Sequence, residues 1–151
     1  MPTTTRGLEY PASTDAPRVW EDMQALAESA DTAIGLLEHD GTSDTSIGSV
    51  AANFTSVSQV GRTALNGKLV TLTLEITSTN TITATSGNIA DTLCFTLDAE
   101  YRPSETISVL FGANMLGEAS ITAAGAVTLR AASDNLTAGT TFRLTATFLR
   151  A

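Results

Sequence analysis

Lysine, histidine and cysteine each occur once in this chain, as Lys68, His39 and Cys94. One lysine among sixteen acids, with a formal net charge of −8, speaks against nucleic acid, which calls for clustered cations to displace counterions. One cysteine cannot close an internal disulfide, so the fold owes nothing to an oxidising compartment. Aromatic residues make up only 5% of the chain. No apolar run approaches the 18 or so residues of a membrane-crossing helix, and MPTTTRGLEYP has no basic start leading into an apolar run. A chain made in the cytosol, without a signal peptide or membrane segment, is the expectation. What is plentiful is Thr and Ala, and the β-branched share favours strands.

Charge divides the chain. Positions 1–48 hold nine acids against Arg6 and Arg18, while the remainder holds seven acids and six bases. Such a break points to parts with different tasks. Residues 1–14 read as an extended, Pro-punctuated arm whose large apolar groups are Leu8 and Tyr10. Residues 15–40 hold a predicted helix, with Pro17 in its first turn and Glu21 and Asp22 near the positive end of its dipole. Residues 41–49 are polar and read as a linker, and 50–151 as a β head.

The helix carries a seam. Val19, Met23, Leu26, Ala30, Ala33 and Leu37 are spaced 4, 3, 4, 3, 4, a heptad pattern, and Trp20, Ala27 and Ile34 widen one flank. An isolated helix with two alanines in its seam is marginal in water, so association of identical helices as a trimeric coiled coil is the expected rescue. The rival arrangement lays the stripe on the chain's own β head.

In the head, KLVTLTLEIT places Val70, Leu72, Leu74 and Ile76 on one face and Thr71, Thr73, Glu75 and Thr77 on the other. The same alternation puts Leu93, Phe95 and Leu97 together, then Ile107, Val109 and Phe111, then Phe142, Leu144, Ala146 and Phe148. Asn66-Gly67, Ala124-Gly125 and Ala138-Gly139 are turn signals. Roughly eight strands joined this way predict an antiparallel sandwich or barrel.

Candidate chemistry is thin. A nucleophile–His–acid triad would have to be built on His39, which sits beside Asp40 in a polar stretch. DGTSD (40–44) lacks the alternating ligands and terminal Glu of a calcium loop. Cys94 has no basic neighbour to activate it and reads as a buried filler. NFT (53–55) and NLT (135–137) match a glycosylation pattern by chance. The expectation is therefore no enzyme, no metal and no cofactor. Sugar sites use exposed aromatics, and Tyr101, ahead of Arg102-Pro103, is the candidate receptor contact. Its alternative role is a packed corner tyrosine.

The stretch RGLEYPASTDAPRVWEDMQALAESADTAI (6–34), through Gly7, Leu8, Tyr10, Pro11, Asp15, Pro17, Leu26, Ala27 and Asp31, resembles the N-terminal segments of tailed-bacteriophage fibre, collar and minor tail proteins. LDAEYRPSETISV (97–109) is similar to the Tyr-Arg-Pro turn of their β heads. SITAAGAVTLRAA (120–132) is similar to their strand pairs around a central Gly, here Gly125. The resemblance implies a homotrimeric virion structural protein, docked through Leu8 and Tyr10 onto other virion proteins, with the head projecting toward a host surface glycan. A tail or tail-tip site is the first expectation and a capsid decoration fibre the second. A free carbohydrate-binding module is the expectation from another class.

Overall fold

Val70, Leu72, Leu74 and Ile76 alternate with threonines over ten residues, and in the computed structural model each is at most 1% exposed. The structure describes residues 23, 25–30, 43–65 and 67–150. The chain divides into two units, Met1–Asp40 and Gly41–Ala151.

In the second unit ten strands form one antiparallel sheet, mainly β as the sequence predicts. They are β1 (Ser43–Asp44), β2 (Gly48–Val50), β3 (Phe54–Ala64), β4 (Leu69–Ser78), β5 (Ala84–Thr85), β6 (Asn88–Leu97), β7 (Ile107–Gly112), β8 (Leu116–Ile121), β9 (Ala126–Ala132) and β10 (Thr141–Leu149). The order across the sheet is β1-β3-β4-β10-β7-β8-β9-β6-β2, with β5 alongside β6. Eight strand-to-strand steps at about 4.8 Å would set β1 and β2 about 38 Å apart in a flat sheet. Yet only Thr45, Ser46 and Ile47 lie between them, and the four peptide steps from Asp44 to Gly48 reach about 14 Å at most. The sheet therefore has to curl, and it does so into a half-barrel with its apolar face inside.

Within the polar stretch 41–49, residues 43–49 are thus not a linker. Ser43 and Asp44 pair with Arg62 and Gly61, while Gly48, Ser49 and Val50 pair with Leu97, Thr96 and Phe95. Between them Ile47 is fully buried. Its amide donates to Gln59 Oε1 (2.9 Å), and its carbonyl accepts from the Asp98 amide (2.9 Å). Short polar sequence is silent about such pairing because its partners are distant in the chain.

The coiled-coil reading of residues 15–40 falls largely outside the described residues. Among the described residues Met23 and 25–30 are helical, about two turns, and carry Met23, Leu26 and Ala30 of the seam. Val19, Ala33 and Leu37 lie outside the described residues, as do the arm residues Leu8 and Tyr10.

Alternation holds in β10, where Phe142, Leu144, Ala146 and Phe148 are all buried. It fails in β6. There Leu93 faces Thr128 and Phe95 faces Val127, so Cys94 is the extra residue of a β-bulge. Cys94 and Phe95 both turn inward and Leu93 is left 44% exposed, contrary to the shared face predicted for Leu93, Phe95 and Leu97. A second bulge in β3 makes Val57 the extra residue between Ser56 and Ser58.

The β3–β4 and β8–β9 hairpins fall at the predicted turns. Leu65 and Gly67 take φ of 54° and 72°, and Gly125 takes 90°. Inside, Phe142 meets Phe54 edge-on at 6.2 Å and Phe111 at 5.2 Å between ring centroids. These offset geometries suit the quadrupoles of the rings. Gly61 lets two other groups close in: a Cβ there would lie 2.5 Å from Tyr101 Cε1 and 2.7 Å from Ile47 Cγ2. Gly61→Ala is expected to lower unfolding stability by about 1–3 kcal/mol through overpacking, read as a lower urea midpoint with unchanged slope.

Candidate interaction surface

Tyr101 closes the short 3-10 turn Ala99–Tyr101 and is 3% exposed. Its hydroxyl donates to Asp44 Oδ2 and its ring lies over Gly61. Of its two predicted roles it takes that of the packed corner tyrosine and not that of the receptor contact, and it ties β1 to the sheet. Desolvation by burial, then the bond to Asp44 and the charges of Asp44, Glu100 and Asp98, push its phenol up from 10.0 to about 12. The other described aromatic residues, Phe54, Phe95, Phe111, Phe142 and Phe148, are buried too. Among the described residues no ring is left as a platform for a sugar. The Asn53 and Asn135 side chains accept hydrogen bonds from the Asn80 side chain (3.1 Å) and the Ala84 amide (2.8 Å), and so act as loop ties.

Cys94 is the buried filler predicted. Its thiol donates to the Val127 carbonyl at 3.3 Å, and burial pushes it up from 9.0 to about 12. His39 lies outside the described residues. Among the described residues no group of three or more His, Cys, Asp or Glu is placed to hold a metal ion, and no helix is long and apolar enough to cross a membrane.

What the outer surface offers is two unlike faces. Across β4 and β10, Thr71 meets Thr147 (3.0 Å), Thr73 meets Thr145 (3.3 Å) and Thr77 meets Thr141 (2.7 Å), hydroxyl to hydroxyl. Glu75 and Arg143 pair within the same ladder. These partners follow from register, since threonines on the outer parity of two antiparallel strands must face one another. Across β7, β8 and β9 the outer surface is mixed, with exposed leucines set among Ser108, Glu118 and Arg130. Leu110 and Leu116 are 71% and 69% exposed and border a shallow groove of about 360 Å³ with Gly87, Ala131 and Glu118. Sequence reasoning missed this groove. Its one signal was parity: Leu110 is a large apolar residue on the side of ISVLF opposite Ile107, Val109 and Phe111.

Of the seam residues, Met23 is 66% and Leu26 48% exposed, and Ala30 is half-buried. No protein-family model matches this chain, and no curated protein matches it.

Both raised groups give a pH dependence of one sign. Each has a folded value above its unfolded one, so the fold favours the neutral form. That stabilisation is whole below pH about 9 and is lost as pH rises toward 12. The urea midpoint is expected to fall across that window, with Tyr101→Phe removing the share between 10 and 12. Cys94 is expected to resist a thiol reagent in native buffer and to react at once in denaturant, since only the thiolate is nucleophilic. Rapid labelling of the folded chain would contradict the buried placement.

Proposed function

We propose that the chain is a non-enzymatic structural protein of a bacteriophage virion, in which a short homotrimeric fibre carries β heads outward from a tail or tail tip. The observation that carries this reading is the layout. A short helix with Met23 and Leu26 exposed precedes a separate antiparallel β unit that begins at Gly41. The resemblance supports it further, because two of the head stretches that carry it have matching local structure. Tyr101-Arg102-Pro103 turns the chain between β6 and β7, and β8 and β9 pair around Gly125.

On this reading three copies meet through the apolar side of the helix. Met23 and Leu26 bury apolar area that a single chain leaves in water, at about 25 cal/mol per Å². The arm, through Leu8 and Tyr10, docks on neighbouring virion proteins. The heads face the host, where contact with a surface glycan would use polar groups and Leu side chains rather than stacked rings. A free sugar-binding module is the weaker reading now that Tyr101 is buried.

Light scattering on the purified full chain is expected to give three times the 15.7 kDa chain mass. Leu26→Asp is expected to give the single-chain mass while circular dichroism of the strands persists. A monomeric parent protein, or an unchanged mass for the variant, would defeat the trimer. Labelling of intact particles against the head distinguishes a tail tip from the capsid surface.

A further inference from the structure

The segment 43–50 closes the sheet, yet little holds it. β1 has two residues and β2 three, against eleven, ten and nine in β3, β4 and β10. Ile47 is its one buried side chain; Ser43, Thr45, Ser46, Ser49 and Val50 are exposed. Its remaining ties are few. The Tyr101 hydroxyl donates to Asp44, the Ile47 amide donates to Gln59 Oε1, and the Asp98 amide donates to the Ile47 carbonyl. The segment is also the first described part of the second unit, directly after the division at Asp40 and Gly41.

We propose that residues 43–50 form a latch that opens as a unit while the rest of the sheet stays folded, so that whatever holds or pulls the preceding residues decides whether the half-barrel is shut. The energetics follow from composition. Opening exposes one isoleucine and releases two very short strands, whereas opening β4 or β10 would expose a row of four buried apolar side chains in each. Regions with few buried apolar groups open first. Opening has a definite consequence. Gly61 and Arg62 of β3, and Phe95 to Leu97 of β6, lose their partners in β1 and β2 while keeping β4 and β9 on their other side, and these two short edge segments become able to pair with another strand. Shut, the latch covers those five residues. A pull on the residues before Ser43 acts first on β1, whose side-chain tie among the described residues is the Asp44–Tyr101 bond. The latch rests on this packing alone and not on the virion reading, so either can fail without the other.

Amide hydrogen exchange on the full chain, read by mass spectrometry, tests it. Peptides covering 43–50 are expected to exchange at least about tenfold faster than those of β4 and β10, and at a rate insensitive to low denaturant, the sign of local opening. Tyr101→Phe and Gln59→Ala remove one hydrogen bond each on the β3 side. Each should speed the 43–50 peptides by about tenfold and leave β4 and β10 unchanged. The proposal is overturned if the 43–50 peptides exchange at the rate and denaturant dependence of β4 and β10, or if both substitutions leave them unaltered or speed every strand alike.

Discussion

Three residues, Thr45, Ser46 and Ile47, join the two ends of a nine-strand path, and most of the head's architecture follows from that short connection. A chain that reaches about 14 Å cannot span a flat sheet some 38 Å wide, so the strands curl until the ends approach. Curling gives the sheet a concave side, and that side takes every described aromatic ring. It also brings Ile47, Gly61 and Tyr101 to one place, and there glycine is required, because a side chain at 61 would occupy the space of both neighbours. The Tyr101 hydroxyl has one partner to reach, Asp44, which the same connection delivers. A corner tyrosine, a bare glycine and a buried isoleucine are thus three parts of one closure.

Much of the sheet can be read directly from the chain. Alternation in 69–78 and 141–149 survives intact because those strands lie side by side, unbulged against each other, with one face in the core and one in water. Glycine turns at 67 and 125 were legible because a positive φ needs that residue in a tight connection. The rest was hidden for specific reasons. Residues 43–50 are polar and short, and their strands exist only through partners that lie at least 17 residues further along the chain. The bulge at Cys94 cannot be foreseen from period two, since one inserted residue reverses which side every later residue faces. Leu93 was assigned inside on the strength of Phe95, and the bulge puts it outside.

The candidate site was legible in outline and misplaced in detail. Tyr101 stood out as an aromatic in a turn, but that feature serves a packed corner as well as an exposed contact, and Asp44 could not be recognised as its partner across 57 positions. On the helix, spacing marked Met23 and Leu26 as an apolar side, and both are exposed. The overlooked feature was a breach of parity. Leu110 sits where an outward threonine or serine would continue the pattern, and Leu116 lies diagonally from it on the adjacent strand.

The two outer faces respond oppositely to being covered. On β4 and β10 the threonine hydroxyls already pair with each other, and Arg143 with Glu75, so a partner there must displace water from polar groups and match the bonds that water makes to their remaining donors and lone pairs. Exposed ion pairs such as Arg143–Glu75 add little by themselves. On β7 and β8, covering Leu110 and Leu116 removes apolar surface from water, at the cost of desolvating Glu118 and Ser133, which line the same groove. Yet two leucines fall far short of the roughly 800 Å² per partner that a stable interface buries. The head alone therefore cannot hold copies together through this groove. In the proposed trimer Met23 and Leu26 would give a second contact on the same chain, and two weak apolar contacts tethered in one molecule act at high effective concentration and reinforce each other.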